Sequence, residues 1–292
     1  MRNVRLALLA LLVTALAAAC GSTTQKSASG SKTSCAKSDL NLVTAGKLTV
    51  GTDNPAFPPW FGGTPKSPWK VSDPRSGQGF ESAVAYAVAK QLGFSKSEVE
   101  WKHVPFSNSY APGPKSFDFD INEISYTPAR AKVVSFSDSY YDVNQSVVVN
   151  KGTPIASVAN VAGLKPYELG AQLGTTSYQL IQNTIKPSKK PSVFPTNTGA
   201  VQALKNKQID GLVVDLPTAF YVTAAQMDNG VIVGQFPPTG GEQEHFSLVL
   251  AKGNALTACV NGALAAMKAD GSLDSITKEW MSDKADAPVI QP

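Results

Sequence analysis

The chain has 292 residues, with 42% hydrophobic and 16% charged side chains, the ordinary composition of a soluble globular protein. Its formal charge of +4 is too small to argue for nucleic acid or an anionic surface as a partner. Once the terminal segments read below are set aside, roughly 250 residues remain, enough for one large domain or two modest ones.

Arg2 and Arg5 precede an apolar run over residues 6–19, broken only by Thr14 and ending at Cys20. The run is shorter than the roughly 20 residues of a membrane-spanning helix, so residues 1–19 read as a signal peptide. Losing Arg2 and Arg5 with it lowers the formal charge from +4 to +2. Leu16-Ala17-Ala18-Ala19-Cys20 resembles the lipobox of bacterial lipoproteins, with the usual Leu one place early. That resemblance implies acylation of Cys20 and anchoring to the cell membrane, since several acyl chains hold where one would be marginal. An ordinary secretory signal with an incidental Cys is the alternative. Residues 20–34 read as the lipidated cysteine and a flexible tether rich in Ser, Thr, Gly and Lys. Beyond the anchor lie Cys35 and Cys259. In an oxidising exported compartment a disulfide between them is expected ahead of two unpaired thiols.

Farther along, residues 47–51 form a short strand signal ended by the turn residues Thr52 to Pro55. The spacing of Val84, Val88 and Leu92 predicts a helix over 81–92, stopped by Gly93. A strand near 99–104 follows, then the alternating run Phe117-Asp118-Phe119-Asp120-Ile121, whose two acids share one face that reads as solvated. Strand and helix thus alternate, the pattern of an α/β lobe with a largely parallel sheet. The grammar repeats: strand 167–172, turn 174–176, helix 178–185, helix 198–206, and a buried strand 209–214 ending at Asp215. A strand over 246–251 and helices over 255–268 and 273–280 complete the chain. Residues 141–149 and the Gly/Pro-rich stretch 237–244 can cross between lobes. The expected division is 35–144 plus 247–285 for a discontinuous first lobe, 145–246 for the second, and a tail over 286–292. Ligands of such sheets bind beyond the carboxyl ends of strands, so a site between the lobes is expected.

A family likeness is carried by an ordered series of short motifs: Leu48-Thr49-Val50-Gly51-Thr52-Asp53, Phe57-Pro58-Pro59-Trp60, Gly79-Phe80-Glu81, Thr127-Pro128-Ala129-Arg130-Ala131, Phe136-Ser137-Asp138, Leu173-Gly174-Thr175-Thr176 and Val213-Val214-Asp215-Leu216-Pro217. From about Gly46 to Met281 the chain resembles the polar-amino-acid branch of the bacterial extracellular solute-binding proteins, similar to the glutamine- and lysine/arginine/ornithine-binding proteins. The resemblance implies a two-lobed periplasmic-binding-protein type II fold with two crossover strands, closing over one free amino acid. It also implies docking on an ABC permease with a cytoplasmic ATPase, as a monomer that uses no cofactor and touches the membrane only through its lipid.

An α-amino acid brings a carboxylate and an ammonium, and a cleft that excludes water must meet both. The resemblance places Arg130 on the carboxylate, where a planar fork makes two charge-assisted bonds that Lys cannot reproduce. Ser125 matches the hydroxyl position beside it. Thr175 and Thr176 start a helix whose N–H groups and dipole favour an anion, though either can simply cap that helix. Asp215 matches the acceptor for the ammonium, with helix capping as the alternative, and Asp53 is the other acid expected near the site. Phe57 and Phe106 match positions that sandwich the ligand side chain, Phe106 reading equally well as core; Trp60 is assigned to the core. Asn122 and Glu123 depart from the family pattern, which has small residues there. Glu123, turned either to solvent or into the pocket, would with Asp53 neutralise a basic side chain, and Gln172 would add a neutral contact. Asn54 and residues 62–79 are further departures without an evident role.

Enzymatic readings find little support. His103 and His245 lie in no catalytic motif, no Gly-x-Ser-x-Gly occurs, and no cluster has zinc-ligand spacing. A same-fold exported cyclohexadienyl or arogenate dehydratase-like enzyme is the catalytic alternative, since fold does not fix function. A ligand-sensing, receptor-accessory lipoprotein is the third reading.

Overall fold

The computed structural model describes residues 34–238, 243–281 and 287–292. The signal peptide, Cys20, most of the tether and part of the second crossover lie outside the described residues.

Among the described residues, ten strands divide between two five-stranded sheets. The first holds β1 (Leu48–Thr52), β2 (Val99–His103), β3 (Phe119–Asp120), β4 (Val134–Asp142) and β10 (His245–Ala251) in the order β2-β1-β3-β10-β4. The second holds β5 (Gln145–Asn150), β6 (Leu169–Gln172), β7 (Ser192–Phe194), β8 (Gly211–Asp215) and β9 (Gly230–Gln235) in the order β7-β6-β8-β5-β9. Each sheet has a parallel core, β2-β1-β3 or β7-β6-β8, next to one antiparallel strand. That antiparallel strand, β10 or β5, is in each case the one that arrives from the other sheet. The two lobes therefore repeat one plan, and the chain passes between them twice. Main-chain bonds join the passages, Val143 N–H to Glu244 O at 2.9 Å and Phe236 N–H to Gln145 O at 2.8 Å.

Burial follows from sheets covered on both faces, whose strands read as unbroken apolar runs. Alternate residues of β5 and β8 feed opposite cores of the second lobe: Val147, Val149 and Val213 on one side, Val148, Leu212 and Val214 on the other. In the first lobe Leu48, Val50 and Phe119 meet Val84, Ala85 and Val88 of the helix Phe80–Gln91, with Trp60 and Phe61 closing the layer. Gly93, in the left-handed conformation at φ +84°, ends that helix as its sequence predicts.

Several boundaries differ from expectation. The predicted strand over 117–121 reduces to Phe119–Asp120. The helix expected over 178–185 runs as Thr176–Leu180 and then widens into a π turn over Ile181–Ile185. Strands β4, β7 and β9 have no counterpart among the elements predicted from sequence. Residues 287–292 return to the second sheet, where Val289 bridges to Gln235 and Ile290 is buried.

The face carrying Asp118 and Asp120 is buried, which corrects the reading of a solvated strand. β3 lies inside the sheet between β1 and β10, and the residues on both of its faces, Asp118 and Asp120 on one and Phe117, Phe119 and Ile121 on the other, are buried. Asp118 accepts the main-chain N–H of Val43 at 2.8 Å and of Thr49 at 2.7 Å. Asp120 is 0% exposed and neither carboxylate oxygen has a hydrogen-bond partner among the described residues. It lies over Gly51, where an added Cβ would fall 2.3 Å from its Oδ2. Burial, then the negative charges of Glu81 and Asp53, hold its carboxyl well above the usual range, with Lys115 opposing. Asn54, unexplained by sequence, fastens the segment 62–79: its side chain donates to Pro68 O at 2.9 Å and accepts Lys70 N–H at 3.2 Å.

Cys35 and Cys259 form a disulfide, with Cα atoms 5.4 Å apart across a sequence separation of 224. It ties the start of the described chain to the helix Leu256–Ala269. Closing so long a loop restricts the unfolded chain strongly, so replacing both cysteines by Ser should lower the unfolding free energy by about 2–5 kcal/mol; an unchanged urea midpoint would contradict this. For Asp120 the sign is fixed by its raised folded-state pKa. The stability it contributes is complete below the ordinary value of 3.8 and is lost as pH climbs toward the folded value. Asp120→Asn should thus gain on the wild type between pH 4 and pH 7 in urea unfolding, and a constant difference between the two proteins would refute the buried neutral acid.

Candidate functional site

The carboxyl ends of β1, β6 and β8 and the loop after β3 converge on a cavity of about 160 Å³ between the lobes, room for several waters or one small solute. Its walls include every residue proposed from sequence: Asp53, Phe57, Phe106, Glu123, Ser125 and Arg130 from the first lobe, and Gln172, Thr175, Thr176 and Asp215 from the second.

Arg130 reaches the cavity through a small local device. Thr127 caps a one-turn helix, Pro128–Ala131, by accepting Arg130 N–H at 3.1 Å, and Pro128 occupies the first helical position. The guanidinium donates to Ser125 O at 2.7 Å and across the cleft to Gly174 O at 2.8 Å. It also lies over the Tyr110 ring, 4.2 Å from the centroid, with Phe106 at 5.7 Å. Burial draws its pKa below the usual value, while Tyr110, Glu244 and Asp215 oppose that shift. Gly174, at φ +79°, comes so close to the other lobe that a Cβ would stand 2.6 Å from the Tyr110 hydroxyl. Glycine is therefore required at this crossing.

The helix after β6 separates the roles of the two threonines. Thr175 is the cap, accepting Tyr178 N–H at 3.1 Å. Thr176 instead sits 3.3 Å from the Ser125 hydroxyl and 3.4 Å from Gln145 Nε2. Asp215 stands at the cap position of the helix Leu216–Tyr221 but makes no capping bond with its side chain. Its Oδ1 accepts from Gln145 Nε2 at 2.5 Å, and burial followed by the charge of Glu244 raises its pKa well above the ordinary value, with Gln145 and Arg130 opposing.

Glu123 turns into the cleft. Its Oε2 accepts from the Thr218 hydroxyl of the second lobe at 2.8 Å, and Thr218 in turn accepts Trp60 Nε1–H at 3.0 Å. Trp60 is thus a core residue that also lines the cavity. Asp53 accepts its neighbour's N–H, Asn54, at 2.7 Å and lies 3.3 Å from His103 Nε2. Phe57 faces Tyr221 of the second lobe, with ring centroids 5.8 Å apart.

Sequence reasoning missed Tyr221, Thr218, Gln145 and Glu244. Tyr221 and Thr218 follow Asp215 on one short helix, so the motif ending at Pro217 was their nearest signal. Gln145 and Glu244 sit on the crossovers. Glu244 accepts from the Ser125 hydroxyl at 2.6 Å and from Gln145 Nε2 at 3.1 Å, joining both passages to Asp215. The hydroxyl of Ser125 is therefore engaged by Glu244, and its carbonyl supports Arg130. Among the described residues no group of side chains could hold a metal ion.

Electrostatically the cavity is lopsided. Among the described residues Arg130 is the single base on its walls, against the acids Asp53, Glu123 and Asp215. Such a wall suits a ligand that brings one negative and more than one positive group.

Residues 48–283 match the model of the bacterial extracellular solute-binding proteins, family 3. The chain is 31% identical over 287 residues to the ABC transporter glutamine-binding protein GlnH of Bacillus subtilis strain 168, covering 95% of this chain and 96% of that one. Among solved structures it resembles an ancestral arginine-binding protein bound to arginine, with 33% identity, a TM-score of 0.66, and coverage of 80% and 98%. It also resembles AncCDT-1, an ancestral amino acid-binding protein described as a precursor of cyclohexadienyl dehydratase, at 30% identity and a TM-score of 0.65 over 80% and 95%. With the family matched along most of its length and the two-lobed fold in place, the chain belongs to the bacterial extracellular solute-binding proteins, family 3.

Proposed function

We propose that this protein captures a free amino acid with a cationic side chain, arginine foremost, between its lobes and delivers it to the permease of an ABC importer. The observation that carries the reading is the charge pattern of the cavity. Arg130 and Asp215 come from opposite lobes to one cavity, so they meet the two poles of a zwitterion. Glu123 then remains without a counter-charge, which is costly for a buried carboxylate, and Asp53, a third exposed and 3.3 Å from His103, adds a second acid to the same wall. A guanidinium or ammonium at the end of the side chain balances them, and Phe57 and Tyr221 flank its path with aromatic faces. The arginine-bound ancestral structure agrees with this ligand class, whereas the glutamine-binding relative makes glutamine the first competitor to test.

Because the ligand touches both lobes, it binds the closed arrangement better and shifts the population toward it. The closed form is the one handed to the permease, whose ATPase supplies the work from the cytoplasm. Acylated Cys20 would hold the protein at the membrane surface, a role consistent with the absence, among the described residues, of any helix long and apolar enough to cross a membrane. No catalytic step is assigned: the relatives are named for binding, and the cavity walls offer charge pairing.

Thermal-shift screening against the twenty amino acids should place arginine or lysine first, because a ligand of the native state raises its melting temperature. By calorimetry, Arg130→Ala and Asp215→Ala should each cost about 2–5 kcal/mol of affinity, the penalty of leaving one charge of a buried pair alone. Wild-type affinity in either variant, or a panel led by acidic amino acids, contradicts the assignment.

A further inference from the structure

Glu81 and Glu123 meet behind the cavity wall in an arrangement that amino-acid capture alone does not demand. Glu81, fully buried in the first turn of the helix Phe80–Gln91, uses one oxygen twice. Its Oε1 accepts Glu123 N–H at 2.6 Å and the Tyr140 hydroxyl at 2.5 Å. Its Oε2 is buried with no hydrogen-bond partner among the described residues. Glu123 itself has φ +52°, a left-handed conformation that costs a long side chain energy and persists only when neighbours enforce it. The Glu81 bond is that enforcement, and it aims the Glu123 carboxyl across the cleft at Thr218.

Among the described residues no cation offsets this pair. The groups acting on Glu123 are Glu81 from its helix, Asp215 from the end of β8 and Asp53 from the end of β1, with Tyr140 of β4 behind Glu81. Arg130 and Tyr221 share the cavity walls, but the Arg130 guanidinium is engaged by Ser125 O and Gly174 O. His103 reaches Asp53, not Glu123.

We propose that Glu123, held in place by Glu81, is a proton-linked selector of ligand charge: it keeps its proton beside a neutral amino acid and releases it to solvent when a cationic side chain enters. The inference rests on the reading of the cavity as an amino-acid site and names the residue that decides between arginine and glutamine. Burial, followed by the charges of Glu81 and Asp215, holds the Glu123 carboxyl well above the usual range, with the Thr218 bond opposing. A cation alongside lowers it again. Between the lowered and the raised value, binding a cation liberates a proton, so arginine affinity rises with pH across that interval, by up to about tenfold per pH unit. Glutamine asks nothing of the Glu123 carboxylate and keeps only the pH dependence that Asp215 gives to any α-ammonium, so arginine affinity rises more steeply than glutamine affinity.

The test is calorimetry of the full chain with arginine and with glutamine over a pH series, each in two buffers of different ionisation enthalpy at every pH, repeated with Glu123→Gln. The expected result is close to one proton more released per arginine than per glutamine, the share of Asp215, whose carboxyl is also raised, being common to both ligands. Glu123→Gln should abolish that excess, bring the pH dependence for arginine down to that for glutamine and move the arginine-to-glutamine preference toward glutamine by about tenfold or more. Arginine bound with no more proton release than glutamine, or an excess that survives in Glu123→Gln, overturns this inference and leaves the capture reading standing. Arginine that fails to bind at any pH overturns both.

Discussion

A charge taken out of water has to be met by another charge, and the geometry of this protein follows from where those charges sit. The base is held by the first lobe and the acid of the pair, Asp215, by the second. Neither lobe can bury a zwitterion alone. In the proposed function, closing the cleft and neutralising the ligand are therefore one event, and affinity is tied to the relative position of the lobes. The same condition explains the main-chain carbonyls around Arg130: a guanidinium buried against Tyr110 needs acceptors on every side, and Ser125 O and Gly174 O supply them from both lobes.

The crossovers extend this logic to the hinge. Gln145 opens the second lobe, Glu244 lies on the return passage, and together with Ser125, Thr176 and Asp215 they form one hydrogen-bonded chain. Asp215, the proposed ammonium acceptor, is thus oriented by the segments that join the lobes. Glu244 also raises the pKa of Asp215, so the charge on Asp215 is sensitive to a residue outside the cavity. Trp60, Thr218 and Glu123 make a second hydrogen-bonded bridge between the lobes.

Much of this was legible in the residues. The Thr-Pro-x-Arg motif is readable because each member acts locally, Thr127 as the cap, Pro128 at the first helical position and Arg130 as the side chain thrown into the cleft. Asp215 was readable as the end of an unbroken Val/Leu strand, and Glu123 as a long acid where small residues are the pattern. What escaped depends on contacts distant in sequence. Asp118 and Asp120 looked solvated because alternation with Phe marks one wet face, yet that face is buried, with Asp118 holding the main-chain N–H groups of Val43 and Thr49. Glu244 gave no signal because a Gly/Pro-rich connection reads only as a connection. The widening of the helix at Ile181 and the return of Ile290 to the second sheet likewise follow from tertiary packing, not from local preference.

Arg130 and Asp215 paired about one ligand are the centre on which capture depends. A crystal structure of the protein with arginine tests that pairing most directly. The α-carboxylate should lie within hydrogen-bonding distance of the Arg130 guanidinium and the α-ammonium on Asp215, with the side-chain guanidinium toward Glu123 and Asp53. Arginine seated outside the interlobe cavity, or held there with Arg130 and Asp215 both turned away from it, would contradict the pairing.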